Sequence, residues 1–152
     1  MSIEQLAETA QAMVAAGKGI IAIDESTGTI AKRFASVGIE NTEENRRAYR
    51  EMLLTTPKLG EHISGAILYD ETLRQSTKDG VPFAKLMAAN GIIPGIKVDM
   101  GTHPLAGCPG EVVTEGLHGL RDRLKEYYAL GARFAKWRAV INIGDDIPSG
   151  TC

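Results

Sequence analysis

With 152 residues, of which 43% are hydrophobic and 24% charged, the sequence is long enough for one domain with its own core and has the composition of a globular protein. The net charge of -2 and the lack of a dense Lys/Arg block argue against nucleic acids and anionic membranes as partners, whereas small anions fit. The N-terminus lacks the pattern of a secretion signal, and no apolar run has membrane-spanning length. We therefore expect a cytoplasmic protein without a disulfide framework.

The chain opens with a predicted helix and a predicted strand. Ser2 and Gln5 form a capping-box pattern, and apolar residues then recur at helical spacing until Gly17. Residues 20–23 are a short β-branched run followed by turn residues, which predicts a buried strand of a parallel sheet. Asp24 falls where this strand ends. It either caps the next helix or, in a barrel of alternating strands and helices, faces a site at the C-terminal ends of the strands.

Helical and strand-like segments alternate along the rest of the chain. The predicted elements are, in order, a helix at 30–37, a charged helix capped by Asn41 that runs to about Leu54, a strand at 63–69, a helix from Pro82 to Asn90, a strand at 92–99, a loop at 102–110, a long helix from Val113 to Gly131 and a strand at 132–143. This alternation predicts an α/β fold of parallel (β/α) units with right-handed crossovers.

Four such strands are half of a TIM (β/α)8 barrel, which typically takes about 250 residues. We therefore expect residues 1–152 to be the N-terminal half of a single TIM-barrel domain with an extra N-terminal helix, the C-terminal half lying outside this sequence. An open sheet of this kind leaves an unpaired edge and an uncovered apolar face. By itself the chain should therefore be poorly stable or should associate.

Charged side chains share faces of the third and fourth predicted strands. Residues two apart on a strand point the same way, so Lys97 lies with Asp99 and Lys136 with Arg138. Two cations on one face of a buried strand are costly unless an anion or a carboxylate lies between them. A bound ligand and ion pairing with Asp24 and Asp99 would both satisfy these cations. Since barrel cores are normally filled by branched apolar residues, so many inward charges favour a ligand site.

Other common chemistries lack their sequence signatures. The histidines His62, His103 and His118 form no ligand-spaced pair, so we expect no metal site. No phosphate-binding glycine loop follows a strand, so we expect no nucleotide cofactor.

Three segments resemble class I fructose-bisphosphate aldolases, the family that forms a Schiff base. They are residues 19–33 (GIIAIDESTGTIAKR), 95–99 (GIKVD) and 134–138 (FAKWR). Each is weak alone, but their order and spacing are those of the family, and the resemblance covers the whole chain. It implies that the complete enzyme is a lyase of glycolysis and gluconeogenesis. It would reversibly cleave fructose 1,6-bisphosphate to dihydroxyacetone phosphate and glyceraldehyde 3-phosphate through a lysine imine, without a cofactor, as a homotetramer.

Carried over residue by residue, the resemblance gives catalytic roles to Asp24 and Lys136. Asp24 would transfer protons and contact the substrate hydroxyl where the sugar is cleaved. Lys136 would assist imine formation and keep the neighbouring nucleophilic amine neutral. The residues that would contact substrate phosphates or hydroxyls are Ser26, Lys32, Arg33, Lys97 and Arg138. Cations such as Lys32 and Arg33 on a short helix are also typical of a solvated surface.

The sequence departs from the family in what it contains. Thr29 and Met100 stand where serine and lysine are frequent, and both changes leave the expected chemistry intact. The imine-forming lysine and the glutamates that move protons belong to the second half of the barrel. No lysine of this sequence matches the Schiff-base strand, so none is assigned, and these 152 residues alone should be inactive.

Two other functions stay open. One is a non-catalytic half-barrel that binds phosphosugars or pairs two copies of the chain. The other is a related Schiff-base aldolase that acts on a different phosphosugar, because barrel function lies in loop residues.

Overall fold

The fold is a parallel sheet flanked by helices. The computed structural model describes residues 2–152, and Met1 lies outside them. The elements are α1 (Ile3–Met13), β1 (Gly19–Ile23), α2 (Thr27–Ala35), α3 (Glu43–Leu54), α4 (Leu59–His62), β2 (Ile63–Leu68), α5 (Asp70–Arg74), α6 (Phe83–Ala89), β3 (Ile93–Lys97), β4 (Thr102–Pro104), β5 (Val112–Thr114), α7 (Leu120–Ala129) and β6 (Phe134–Lys136).

The main sheet has the strand order β1-β2-β3-β6, and all its neighbouring strands are parallel. The register places Ile23 opposite Leu68 and Lys97 opposite Lys136. Parallel strands paired in this way end at the same edge of the sheet. The predicted α/β fold of parallel units with an additional N-terminal helix is confirmed, and the residues that follow each strand are brought together.

The apolar core lies between this sheet and helices α3, α5, α6 and α7. Its largest contributions come from side chains with almost no exposed surface, namely Ile23, Leu54, Leu68, Leu73, Phe83, Met87, Ile92, Ile96 and Tyr127. Full burial of one such aliphatic or aromatic side chain contributes roughly 1.5 to 3 kcal/mol. This packing fixes the strand ends that carry the charged residues.

The first strand is less buried than predicted. Within β1 only Ile23 is buried, and Ile20 is 42% exposed. The reason is its position, since β1 lies at the edge of the described sheet and pairs with β2 alone. An apolar run therefore indicates the strand but not how far the fold covers it.

Helix ends follow their capping residues. Ser2 and Gln5 form the predicted capping box at the start of α1, and Gly17 in the left-handed region follows that helix. Helix α6 starts after Pro82 and ends at Asn90, as predicted. Among residues 2–152, no helix combines the length and the apolar character needed to cross a membrane.

The predicted N-cap of helix α3 is wrong. Thr42 Oγ1 accepts a hydrogen bond from the Asn45 amide at 3.1 Å, so Thr42 caps this helix and Asn41 does not. The Asn41 side chain instead accepts a hydrogen bond from Arg46 at 3.1 Å. Both residue types cap helices well, so the sequence pattern does not separate them. Helices α4 and α5 were not predicted, because four or five residues are too few to show a helical period.

The region after β3 differs most from the prediction. The predicted loop at 102–110 contains β4, which pairs antiparallel with β5. The apolar spacing predicts a helix from Val113, but Val113 lies in β5, and α7 begins only after Gly119. The prediction was wrong because Gly116 and Gly119 have φ angles of 131° and 66°, which do not continue a helix, whereas the β-branched residues before them favour a strand.

The fourth strand of the main sheet is shorter than the predicted span of 132–143. Strand β6 covers three residues, and its ladder with β3 ends as the Val98 amide donates to the Lys136 carbonyl at 3.0 Å. Beyond Lys136, no strand of residues 2–152 forms a backbone ladder with the segment. An extended segment becomes part of a sheet only where a neighbouring strand forms backbone hydrogen bonds with it.

Candidate functional site

A cleft of about 690 Å³ lies at the C-terminal ends of the main-sheet strands. The predicted site residues that line it are Asp24, Ser26, Arg33, Lys97, Lys136 and Arg138. Lys32 is exposed on α2 and is not part of the lining, so the structure does not bring it to the site. The parallel register explains the gathering of the others, because residues that follow neighbouring parallel strands share one edge.

A direct contact joins the two residues expected to be catalytic. Lys136 Nζ donates a hydrogen bond to Asp24 Oδ2 at 2.6 Å, and the two side chains are 29% and 12% exposed. Asp24 follows β1 and Lys136 ends β6, so the contact spans the cleft between the outer strands of the described sheet. A short, partly buried hydrogen bond between charged groups keeps a proton donor and an acceptor in fixed contact.

Ser26, and not Asp24, caps helix α2. The Ser26 hydroxyl accepts a hydrogen bond from the Thr29 amide at 3.4 Å and contacts the Thr29 hydroxyl at 3.1 Å. The alternative in which Asp24 caps the next helix is therefore wrong. Both hydroxyl residues line the cleft, where the N-terminal amides of α2 and its dipole favour an anion.

Lys97 and Asp99 form a second ion pair. Lys97 Nζ lies 2.7 Å from Asp99 Oδ1, and the Asp99 side chain is fully buried. Burial raises the pKa of Asp99, but the hydrogen bond and charge of Lys97, together with the backbone amides of Arg138 and Gly101, hold it below its usual value. Asp99 is thereby kept ionised and compensates the charge of Lys97.

Arg33 and Arg138 are more exposed than the lysines of the cleft. Arg33 has a side chain that is 58% exposed and pairs with Glu25. Arg138 is exposed, and its side chain forms no ion pair within residues 2–152. Of the two ways to satisfy the inward cations, ion pairing applies to Lys97 and Lys136, whereas the Arg138 side chain is free to meet an anion.

The cleft also contains residues that the sequence analysis did not assign. They include Glu25, Tyr69, Asp70, Arg74, Arg123 and Tyr127. Asp70 comes after β2 as Asp24 comes after β1, so its position at a strand end is a sequence signal that could have placed it at the cleft. Arg123 belongs to α7 and reaches the cleft through the fold alone, for which the sequence contains no local signal.

Two of these arginines hold the rim of the cleft. Arg74 Nη2 lies 3.0 Å from Asp70 Oδ1, and Arg74 also pairs with Glu126. Burial raises the pKa of Asp70, but the hydrogen bonds with Arg74 and Tyr127 and the charges of Arg74 and Arg123 together hold it below its usual value. Arg123 donates to the Val98 carbonyl at 3.0 Å and so fixes the chain just before Asp99.

Metal-ligating residues are not clustered. No group of three or more His, Cys, Asp or Glu residues that could hold a metal ion occurs in the described part of the chain. The cleft is lined by cations, hydroxyls and carboxylates. The carboxylates are paired with cations of the cleft, whereas Arg138 forms no ion pair within residues 2–152 and suits an anionic ligand.

Comparison with known proteins identifies the family of the chain. The sequence model of the family described as fructose-bisphosphate aldolase class-I matches residues 5–152. The chain belongs to the class I fructose-bisphosphate aldolase family. Its resemblance to that family over the whole chain is thereby confirmed.

Relatives within this family are longer than the chain. It is 84% identical over 152 residues to "Probable fructose-bisphosphate aldolase class 1" of Xylella fastidiosa, covering 100% of this chain and 46% of that protein. It is 56% identical to "Fructose-bisphosphate aldolase 5, cytosolic" of Arabidopsis thaliana, covering 96% of this chain and 41% of that protein. The chain therefore spans less than half the length of these aldolases.

A solved aldolase has the same fold. The fructose-bisphosphate aldolase of Plasmodium falciparum matches with a TM-score of 0.94 and 53% identity, covering 97% of this chain and 43% of that one. The four parallel strands of the main sheet thus correspond to part of a complete aldolase. The expected first half of a TIM barrel is confirmed, whereas the extent of the domain beyond residue 152 stays a prediction.

Proposed function

We propose that this chain is the N-terminal portion of a class I fructose-bisphosphate aldolase. The complete enzyme reversibly cleaves fructose 1,6-bisphosphate to dihydroxyacetone phosphate and glyceraldehyde 3-phosphate through a lysine imine. Membership of the family supports the reaction class. The observation that carries the proposal is the 2.6 Å contact between Lys136 Nζ and Asp24 Oδ2, inside a cleft that also contains Arg138.

In this proposal Asp24 acts as the base of the cleavage step. Its carboxylate accepts the proton of the substrate hydroxyl on the carbon that becomes the aldehyde. The carbon-carbon bond then breaks, and its electron pair moves to the protonated imine, which serves as the electron sink. This chemistry needs no metal. The lysine that forms the imine lies outside the 152 residues, since none of them matches the family's Schiff-base strand.

Lys136 supports the same step from the opposite strand. As an ammonium group it holds the Asp24 carboxylate in place and can return a proton during imine formation and dehydration. Its positive charge also disfavours protonation of a neighbouring nucleophilic amine. The cleft thus supplies a base and a cation before substrate arrives.

The phosphate contacts come from two sides of the cleft. Ser26 and Thr29 lie at the N-terminus of α2, Arg33 lies in its last turn, and Arg138 lies beyond β6. A bisphosphate needs cations at both of its ends, and guanidinium groups suit phosphate oxygens. Lys97, whose Nζ lies 2.7 Å from Asp99 Oδ1, contacts a substrate phosphate or hydroxyl from the end of β3. Lys32 contributes no contact that this geometry supports.

The location, pathway and oligomeric state of the complete enzyme are inferred from the proposed reaction and the family resemblance. We infer a cytoplasmic enzyme of glycolysis and gluconeogenesis, consistent with the relatives named cytosolic. We also infer that the complete protein is a homotetramer, as the family resemblance implies.

A chimera tests the proposal. Residues 1–152 replace the matching part of the Xylella fastidiosa relative, to which they are 84% identical. We expect the chimera to cleave fructose 1,6-bisphosphate, and dihydroxyacetone phosphate with borohydride to leave a reduced adduct, read by intact mass, on a lysine outside residues 1–152. The isolated 152-residue chain should show neither cleavage nor adduct.

The other outcomes lead to different functions. An adduct on a lysine within the isolated chain would make the proposed roles of Asp24 and Lys136 wrong. A chimera that binds phosphosugars but forms no adduct would favour a non-catalytic binding module. Faster turnover of another phosphosugar than of fructose 1,6-bisphosphate would identify a related Schiff-base aldolase.

A further inference from the structure

An arginine is buried beneath the strand end that carries Asp24. Arg50 lies on α3, and its exposed fraction is 0%. It does not line the cleft and takes no part in the proposed cleavage step. A fully buried guanidinium is costly, since removing a charge from water is repaid only by good partners. A guanidinium at this buried position therefore calls for a reason beyond packing.

The partners of Arg50 surround Asp24. Its Nε donates to the Ile23 carbonyl at 3.4 Å, and its Nη2 donates to the Glu25 carbonyl at 2.9 Å. These carbonyls belong to the residues immediately before and after Asp24. The rigid planar fork of a guanidinium can hold two acceptors at once, which a lysine ammonium cannot do with the same geometry.

Glu25 completes the arrangement. Its side chain is 8% exposed and lies 3.3 Å from Arg50 Nη2, while it also pairs with Arg33. The same residue thus neutralises the buried guanidinium and links it to an arginine of the cleft. Burial nevertheless lowers the pKa of Arg50, and its Nη1 has no hydrogen-bond partner among residues 2–152. The site is therefore not optimised for stability alone.

We propose that Arg50 is a positioning residue for Asp24, whose backbone it clamps on both sides so that the Asp24 carboxylate stays within reach of Lys136. This inference rests on the proposed aldolase function. Arg50 contacts no substrate in this role and acts only through the strand end. A displacement of a reacting group by about 1 Å can lower turnover by about 100-fold.

The test compares arginine variants of the chimera. Arg50→Met removes the donors, and Arg50→Lys keeps a charge but not the fork. Arg47→Met is the matched control, because Arg47 lies on the same helix and its ion pairs among residues 2–152 are with Glu44 and Glu51. Each variant is measured for kcat and KM with fructose 1,6-bisphosphate, for thermal unfolding, and for the borohydride adduct with dihydroxyacetone phosphate.

A positioning role predicts a specific split of these readouts. In both Arg50 variants kcat should fall by about 100-fold. KM should stay within about threefold, since the phosphate contacts are unchanged. The adduct should still form, because the imine-forming lysine does not depend on Asp24 for its nucleophilicity. Arg47→Met should keep kcat within about twofold of the unsubstituted chimera.

Two results would overturn the inference. One is a folded Arg50 variant whose kcat matches that of Arg47→Met. The other is joint loss of kcat, adduct and cooperative unfolding in both Arg50 variants, which would show a purely structural role. An unsubstituted chimera without cleavage or adduct would instead overturn the proposed function, and the positioning role with it.

Discussion

Carboxylates follow three neighbouring strands of the sheet, yet each has a different kind of partner. Asp70 pairs within its own helix, and Asp99 pairs with Lys97 two residues earlier. Asp24 instead pairs with Lys136, 112 residues away along the chain. The Asp24–Lys136 contact therefore depends on the whole sheet being assembled, and its two residues are the first to substitute.

Asp24→Asn and Lys136→Met each remove one half of this contact. Loss of a positioned acid or base typically lowers turnover by about 100-fold to 10,000-fold, and we expect kcat of the chimera to fall in that range. The fold should persist, because both side chains face the cleft and not the apolar core. Steady-state cleavage and circular dichroism measure the two effects.

A lysine elsewhere serves as the control for these variants. Lys85 lies on α6, is exposed and is not part of the cleft lining. Lys85→Met should therefore leave kcat unchanged. Normal turnover of Asp24→Asn or of Lys136→Met would remove that residue from the mechanism.

Asp99 makes stability depend on pH. Its pKa in the folded protein lies below the ordinary value because Lys97 and backbone amides outweigh the effect of burial. The unfolded chain therefore binds a proton at Asp99 more readily than the folded protein does. The stabilisation that ionised Asp99 gives to the fold is thus complete above the ordinary Asp range near pH 4 and is lost as pH falls through the folded pKa. Asp99→Asn should lower the free energy of unfolding by about 1.5 to 3 kcal/mol at pH 7.

The difference in the free energy of unfolding between the chimera and its Asp99→Asn variant should then become smaller as the pH is lowered. Urea unfolding at pH 7, 5 and 3 measures it. The exposed Asp79 provides the control, since Asp79→Asn should change stability at none of these pH values. A pH-independent difference for Asp99→Asn would show that packing, and not charge, is what Asp99 contributes.

At the scale of elements, the sequence predicted the parts whose signal is local. The cap of α1, the proline start of α6 and the apolar runs of β1, β2 and β3 all lie in the residues themselves. The hairpin of β4 and β5 could not be predicted in this way, because each strand has three residues and exists only through its partner. The length of β6 was missed for the same reason.

The same limit applies to the site. Asp24, Lys97 and Lys136 could be placed at strand ends because a strand's period fixes which way its side chains point. The clamp by Arg50 and the contact of Arg123 with Val98 come from helices distant in sequence. Those contacts follow from packing, which no short pattern encodes.

The packing of β3 against β6 makes Gly95 sensitive to substitution. A Cβ atom on Gly95 would lie 2.3 Å from Cζ of Phe134, its register partner on β6. Gly95→Ala must therefore displace the ring, and overpacking of this kind costs about 1 to 3 kcal/mol. We expect a loss of that size in the free energy of unfolding of the chimera, measured by urea denaturation.

Gly19 on β1 is the matched position for this test, since a Cβ there would meet no atom of residues 2–152 within 4 Å. Gly19→Ala should therefore change stability by less than about 0.5 kcal/mol. Equal losses for the two variants would mean that strand glycines matter in this sheet through backbone freedom and not through the Phe134 ring.

At the scale of the whole molecule, the described sheet has apolar surface that its own helices do not cover. A groove of about 620 Å³ runs beside β6 and α7 and is lined by Ile96, Leu120, Leu124, Tyr128, Phe134 and Ala135, among others. Strand β6 pairs on one side only within residues 2–152. Unpaired strand edges next to apolar grooves promote association.

The isolated 152-residue chain should therefore self-associate through the β6 edge, giving a light-scattering mass that rises with concentration above the monomer value. Ala135 is exposed on β6, and Ala135→Lys places a charge on that edge and should lower the mass toward that of a monomer. Ala48→Lys adds the same charge on the exposed side of α3 and should have no such effect.

If both variants lowered the mass equally, net charge and not the strand edge would control association. A discrete dimer that resists Ala135→Lys would place the contact elsewhere, because an interface through β6 cannot bury an unpaired lysine without cost.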